Sequence, residues 1–171
     1  MAEEGLGDQI RAVLKAPETG PTMRRFFVNT IFDSTFVILG ILIASAFGTD
    51  PDLRLITATI ITSSVALGIS TGVSVHEAET MEQSLKMKEM ERAMLRPLGD
   101  TRIGRTSQLT IFLISGVNFL APLAAGLITL TPFLILGEGG IREAATISVG
   151  LAMLILFVVG AMMGRSGGRN P

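Results

Sequence analysis

One carboxylate in this sequence stands alone among apolar residues. Asp33 is the only ionisable residue in the segment Phe26–Phe47, and the other apolar segments offer no Lys, Arg or His to pair with it. A charge inside an apolar helix needs a proton, a metal ion or water as its partner. We therefore expect Asp33 to be an ion or proton site. The alternative is a carboxylate in a water-filled dip near the membrane surface.

A second group of candidate ligands lies in the segment 76–95. Glu79, Glu82 and Glu89 would share one face of a helix, since they are spaced at i, i+3 and i+10. Carboxylates on adjacent turns suit a hard divalent cation, which prefers oxygen ligands. His76 lies three residues before Glu79 and can add a nitrogen ligand.

A plainer interpretation of the segment 76–95 also stands. Glu82 and Lys86 have the i, i+4 spacing of ordinary surface pairs on a helix. Met87, Met90 and Met94 have a spacing that is typical of a packing seam. The spacing alone leaves both interpretations open.

The elements that must position these residues are four apolar blocks. Hydrophobic residues make up 48% of the 171 residues and charged residues 17%, which is low for a soluble domain. A spanning helix needs about 20 apolar residues. The blocks predict an all-α membrane protein with four transmembrane helices, namely Phe26–Phe47, Leu55–Val75, Gln108–Leu130 and Ala144–Gly164.

Details within the blocks predict how the helices run and pack. Pro122 lies inside the third helix, and Pro132 is expected to end it. Asn118, near the centre of that helix, is expected to form hydrogen bonds between helices. Gly68 and Gly72 match the GxxxG packing motif, a weak indication in a chain with 19 glycines.

The distribution of positive charge predicts the orientation. Of the fourteen Lys and Arg residues, twelve fall in the N-terminal segment, the 76–106 segment or the C-terminal tail. Positive residues favour the cytoplasmic side. We therefore expect an integral, multi-pass protein, in the cell membrane if the source is prokaryotic, with both termini in the cytoplasm. Leu6, Ile10, Val13 and Leu14 give the N-terminal segment an amphipathic pattern, although a frayed terminus fits it equally.

The second helix is expected to continue into the cytoplasm. Residues 76–95 contain no Gly or Pro, and Pro97 then stops the helix. The resulting organisation has five parts. They are a cytoplasmic amphipathic segment at 1–25, transmembrane helices 1 and 2 at 26–75, a cytoplasmic acidic and Met-rich helix with its loop at 76–106, transmembrane helices 3 and 4 at 107–164, and a cytoplasmic tail at 165–171.

These features together resemble the vacuolar iron transporter family over most of residues 25–167. The resemblance rests on Asp33-Ser34-Thr35 in the first block and on Gly68-Ile-Ser-Thr-Gly72-Val-Ser-Val at the end of the second, which passes directly into a Glu- and Met-rich helix. Gly126-Leu-Ile-Thr-Leu-Thr-Pro132-Phe133 and Gly160-Ala-Met-Met-Gly164-Arg165 extend it. The resemblance implies an all-α homodimer that exports Fe²⁺ or Mn²⁺ from the cytosol, coupled to protons.

The resemblance also assigns roles to residues. Asp33 matches the aspartate of the family's first helix, and the ion path runs between subunits around the first two helices. Asn29, Ser70 and Thr71 become ion-path candidates, and cytoplasmic glutamates and methionines would gather the metal. The sequence departs from the family in having Ser34 after the aspartate, where Gly is usual, and Thr71 where Met is expected. It also has four apolar blocks where the family usually has five spans.

The sequence thus predicts a membrane transporter for Fe²⁺ or Mn²⁺ with no permanently bound cofactor. The metal-site candidates are Asp33, Glu79, Glu82, Glu89 and His76. Its expected partners are a second copy, the lipid bilayer, divalent metal ions and protons, but no nucleic acid. The alternative is a non-transporting adaptor or scaffold whose cytoplasmic helix binds a partner. An enzyme is not expected, because the chain has one His, no Cys and no Gly-rich phosphate loop.

Overall fold

The structure is a computed structural model that describes residues 19–48, 50–97, 99 and 101–167, together with Gly7, Ile10 and Val13. Within these residues the chain is all-α, as the sequence predicts. Helix α1 is Thr19–Ala46, α2 is Leu53–Met94, α3 is Arg102–Leu136 and α4 is Ile141–Gly167. A short 3-10 helix, Gly137–Gly140, joins α3 to α4.

The helices pack into a bundle in which α3 contacts each of the other three. Helices α3 and α4 form an antiparallel hairpin. Across its turn, the Ser148 hydroxyl of α4 donates a hydrogen bond of 2.7 Å to the Thr129 carbonyl of α3. The turn needs Gly137, whose φ of 64° is unfavourable for other residues. The core is apolar and is built from all four helices, with Ile38, Ile60, Phe133 and Ala145 among its buried residues.

Close packing joins α2 to α3. Gly68 and Gly72 are buried against Phe119, and a Cβ atom at Gly68 would lie only 2.8 Å from the Phe119 carbonyl oxygen. Further along, Gly126 lies directly against the Ser64 side chain. Small residues allow helix backbones to approach in this way. The GxxxG motif in α2 is therefore a packing site, whereas a Cβ atom at Gly164 would meet no described atom of another helix within 4 Å.

Helix α2 runs without interruption from the apolar block through the acidic segment, as one helix from Leu53 to Met94. The cytoplasmic location of the acidic segment stays a prediction. At its start, the Asp52 carboxylate accepts hydrogen bonds from the backbone N–H groups of Arg54 and Leu55, at 2.8 and 3.3 Å. At its end, Leu95 adopts a left-handed conformation, two residues before Pro97. At 1.5 Å per residue, its 42 residues measure about 63 Å.

The expectation that Pro132 ends the third helix is wrong, because α3 continues to Leu136. A proline inside a helix removes one backbone hydrogen bond. Here its neighbours Leu130 and Phe133 are 4% and 1% exposed, and their burial in the core holds this turn in helical form. The helix ends at Gly137 instead. Pro122 also lies inside α3, as expected.

Within the described residues, three stretches are long and apolar enough to cross a membrane. They are Thr19–Ala46, Leu53–Met94 and Ile103–Arg165, and the third contains both α3 and α4. Large apolar side chains cover the outside of the bundle, among them Phe36, Phe112, Ile135 and Phe157. Such a surface is typical of a membrane protein.

At the N-terminus, most of the predicted amphipathic segment lies outside the described residues, Leu6 and Leu14 included. Val13 is fully buried and Ile10 is half-buried, and both are helical.

Candidate metal-binding cavity and intramembrane aspartate

A cavity of about 500 Å³ lies at the end of the bundle where α2 extends beyond its uncharged segment. Side chains of α1, α2 and α3 line it. They are Thr19, Thr22, Glu79, Glu82, Gln83, Lys86, Met87, Met90, Ile103, Thr106, Ser107, Thr110 and Ile114. The lining thus combines two carboxylates and one ammonium group with an amide, five hydroxyls, two thioethers and two aliphatic side chains.

Glu79 is the unusual group in this cavity. It is only 2% exposed, and its Oε1 has no hydrogen-bond partner among the described residues. Burial raises the pKa of the Glu79 carboxyl, and the neighbouring Glu82 carboxylate raises it further. A hydrogen bond with Gln83 and the charges of Lys86 and Arg25 oppose this rise in the pKa.

The second carboxylate of the cavity, Glu82, differs from Glu79 in being partly exposed and ion-paired. Glu82 Oε1 lies 3.1 Å from Lys86 Nζ, and both side chains are close to half exposed. This i, i+4 pair is the surface pair that the plainer interpretation predicts. The Glu82 carboxylate is therefore paired with Lys86, whereas Glu79 Oε1 has no hydrogen-bond partner among the described residues.

The other polar groups come from different helices. The Ser107 hydroxyl of α3 donates a hydrogen bond of 3.0 Å to Gln83 Oε1 of α2. Oxygen ligands favour hard divalent ions, and the thioethers of Met87 and Met90 favour softer ones. No group of three or more His, Cys, Asp or Glu side chains gathers within the part of the chain that the structure describes. A metal held here would need the amide, hydroxyls or water to complete its coordination.

The remaining predicted ligands on α2 lie elsewhere. His76 and Glu89 are exposed, and neither lines the cavity. The structure therefore brings Glu79 and Glu82 together and leaves His76 and Glu89 outside.

Asp33 lies on the outward face of α1. Its side chain is exposed, and Asn29 Nδ2 donates a hydrogen bond of 3.3 Å to Asp33 Oδ2. Phe36, Gly40 and Ala44 continue the same exposed face. Asp33 thus faces away from the core of its own bundle.

Asp33 and the cavity share one face of α1. At 3.6 residues per turn, Thr19, Thr22, Asn29 and Asp33 fall within about 80° of arc, with Phe26 between them. Thr19 and Thr22 line the cavity, and Asp33 lies about 16 Å further along the helix than Thr22. The same side of α1 therefore carries polar groups at the cavity and at the aspartate.

The ion-path candidates of α2 are separated. Ser70 is exposed on the outer surface. The Thr71 hydroxyl instead donates to the Leu67 carbonyl of its own helix at 2.8 Å and to the Asn118 carbonyl of α3 at 3.2 Å. Asn118 is fully buried and accepts a hydrogen bond from Thr30 of α1, as its predicted interhelical role requires.

Sequence reasoning did not include Gln83 or the hydroxyls of α1 and α3 in the site. The spacing of Glu79 and Gln83 at i, i+4 on a helix could have identified the amide. Thr22, Thr106 and Thr110 carry no such indication, because only the packing of three helices brings them to the cavity.

No family model, curated protein or solved structure matches this chain.

Proposed function

We propose that this protein is an integral membrane transporter that exports Fe²⁺ or Mn²⁺ from the cytoplasm, coupled to protons and working as a homodimer. The observation that carries the proposal is Glu79, a buried carboxylate with an unpartnered oxygen in a cavity of oxygen and sulfur ligands. The sequence resemblance to the vacuolar iron transporters supports the same function.

The proposed topology has four crossings. Helices α3 and α4 have 35 and 27 residues, and each exceeds the roughly 20 residues that a crossing needs. In this topology the hairpin at Gly137 would return the chain to the side of the membrane from which α3 starts. The distribution of Lys and Arg then favours a cytoplasmic location for both termini and for the cavity.

At the cavity, Glu79 and Glu82 would concentrate the metal before it enters the membrane. Burial favours the protonated form of Glu79, and a metal ion binds the deprotonated form. Metal ions and protons would therefore compete for Glu79, and more strongly at lower pH. This competition offers a physical basis for coupling metal export to proton movement.

Within the membrane, Asp33 would be the central ion site. A charged carboxylate that faces lipid costs at least about 2.5–3.5 kcal/mol. Its exposed face on α1 includes Gly40 and Ala44, which allow another helix to approach closely. We propose that a second copy covers this face, so that two Asp33 side chains share a metal ion or protons.

The test is metal flux in proteoliposomes, with several divalent ions measured by element and with and without a pH gradient. Asp33→Asn should nearly abolish flux and its pH dependence, while folding survives because a neutral amide is less costly in lipid than a charge. Glu79→Gln combined with Glu82→Gln should raise the half-saturating metal concentration and lower maximal flux less. Glu77→Gln, at an exposed position on the same helix, is the matched control and should behave as wild type. Normal transport by Asp33→Asn would contradict the proposed pathway.

A second candidate function is a non-transporting adaptor. It is favoured by apolar side chains that stand exposed on the C-terminal half of α2, where Met81 and Leu85 are 69% and 57% exposed. They could bind a partner helix. Absence of metal flux in the wild-type protein, together with capture of a partner that Met81→Ser and Leu85→Ser abolish, would favour this function.

A further inference from the structure

A second cavity, of about 430 Å³, lies between α1 and α4. Arg25, Phe26, Val28, Asn29, Phe32 and Met163 line it. Its volume is in the usual range for ligand sites. The wall has one cation and one amide, and its other side chains are apolar. None of the residues that line this second cavity also lines the Glu79 cavity.

Arg25 is the group that sets the chemistry of this groove. Its guanidinium lies 5.1 Å from the centre of the Phe26 ring, which holds the cation at the wall. No carboxylate lines the groove, and no ion pair within 4.0 Å to Arg25 is found among the described residues, although the Arg25 charge also acts on Glu79 at longer range. Asn29 adds an amide whose Nδ2 has a second N–H besides the one given to Asp33. The donors therefore call for an anion.

The apolar part of the groove extends in the direction of the membrane. Arg25 directly precedes the apolar segment that begins at Phe26, and Phe32 lies about 10 Å further along the helix. On the facing helix, a Cβ atom at Gly160 would lie 3.7 Å from the Phe32 ring, so α1 and α4 are close at this depth. The groove thus pairs a cation at its outer end with an apolar inner wall.

We propose that this groove binds an anionic phospholipid of the surrounding bilayer. Arg25 and Asn29 would bind the phosphate through charge-assisted hydrogen bonds, and an acyl chain would lie along Phe26, Phe32 and Met163. An aqueous anion matches only the polar half of the groove, and the headgroup cation of a zwitterionic lipid would be repelled by the Arg25 guanidinium. This inference stands whether or not the chain transports metal.

Native mass spectrometry of the full chain, released from equimolar phosphatidylglycerol and phosphatidylcholine, tests the proposal. The wild type should retain phosphatidylglycerol in preference, and Arg25→Gln should reduce that preference about fivefold, the contribution of one Arg near a membrane surface. Arg25→Lys should keep most of it, because the positive charge remains. Arg105→Gln is the matched control, since Arg105 is an exposed arginine of α3 that does not line the groove, and its preference should equal wild type.

Two further measurements identify the place and the ligand. Met163→Trp fills the apolar part of the groove from an exposed position and should lower bound phosphatidylglycerol while the circular dichroism spectrum is unchanged. Inorganic phosphate added to the wild type should not displace the lipid. The proposal is overturned if Arg25→Gln keeps the wild-type preference, if Met163→Trp binds as much lipid, or if phosphate displaces it. A change in oligomeric state without a change in lipid binding would instead identify the groove as a contact between copies.

Discussion

The Thr30 hydroxyl donates a hydrogen bond of 2.9 Å to the Asn118 side-chain oxygen, and this buried contact joins α1 to α3. Asn118 Nδ2 in turn donates to the Ile114 carbonyl of its own helix, and Thr71 reaches the Asn118 backbone from α2. Three helices therefore meet at one residue. Satisfied polar contacts of this kind specify how helices pack in lipid.

Asn118→Ala should lower the stability of the protein by about 1–2 kcal/mol, because it removes the bond to Thr30 and opens a small cavity. Unfolding in mixed micelles, followed by circular dichroism, measures the change. A double-mutant cycle with Thr30→Val isolates the contact. Thr131→Val, at an exposed residue that bonds only within its own helix, is the control and should change little. Equal stability of Asn118→Ala and wild type would contradict the structural role.

Gly68→Ala should destabilise the contact between α2 and α3, because the new methyl group meets the Phe119 backbone. Overpacking of this kind costs about 1–3 kcal/mol. Gly150→Ala is the matched control, since no described atom of another helix lies within 4 Å of the Cβ position there, and it should be neutral or slightly stabilising. Thermal unfolding of the two variants measures the difference. An identical response at both positions would show that helix propensity, and not the contact, controls the outcome.

Glu79→Gln should stabilise the protein at neutral pH. The pKa of Glu79 is raised in the folded state, so the folded state holds its proton more tightly than the unfolded chain does. The stabilisation that protonated Glu79 gives the wild type is therefore fully present below its ordinary pKa of 4.5. It is lost as the pH rises through the raised pKa of the folded state. The melting temperature of Glu79→Gln should match wild type near pH 4 and exceed it as the pH rises toward 7.

Glu77→Gln provides the control for this experiment, because Glu77 is exposed on the same helix. Its melting temperature should follow wild type at every pH. A constant difference between Glu79→Gln and wild type across the pH range would show that the effect comes from packing and not from the proton.

Much of this fold can be predicted from sequence, because long apolar blocks and helix formers act locally. The continuity of α2 follows from residues 76–95, which contain no Gly or Pro, so that no helix-breaking residue precedes Pro97. Asn118 is predictable for a similar reason, since a lone amide in an apolar block has to find a partner. The end of α3 is not, because the burial of Phe133 outweighs the bond that Pro132 removes.

The candidate site is less accessible to sequence reasoning. Spacing on one helix places Glu79 and Glu82 near each other, but it does not show that one is buried and the other paired with Lys86. Spacing also gives no reason to prefer Glu79 to Glu89 as a ligand, although Glu79 lines the cavity and Glu89 does not. The direction of Asp33 depends on how α1 rotates against its neighbours, which is a property of the whole bundle.

Labelling of single cysteines tests the proposed topology. The chain has no native cysteine, so Gly99→Cys and Gly139→Cys can be introduced one at a time at exposed positions. If α3 crosses the membrane alone, a membrane-impermeant reagent added to intact cells should label position 139 and not position 99. Labelling of both positions from outside would contradict four crossings.

Crosslinking along α1 tests the proposed homodimer. Cysteines at 37, 40 and 44 lie on the exposed face with Asp33, and they should form crosslinked dimers in membranes. Cysteines at 38 and 42 replace fully buried side chains and are the controls, which should not crosslink. Crosslinks at neither set, together with a monomer in mild detergent, would contradict a dimer formed through this face.

The uninterrupted α2 helix has a mechanical consequence. Gly72 is held against Phe119, and Met94 lies 22 residues beyond it, which is about 33 Å of rigid rod. A tilt of about 5° around the Gly72 contact would therefore displace Met94 by about 3 Å, but Glu79 by only about 1 Å. Because Met90 also lines the cavity and lies 18 residues beyond Gly72, such a tilt would move the methionine end of the cavity more than twice as far as Glu79.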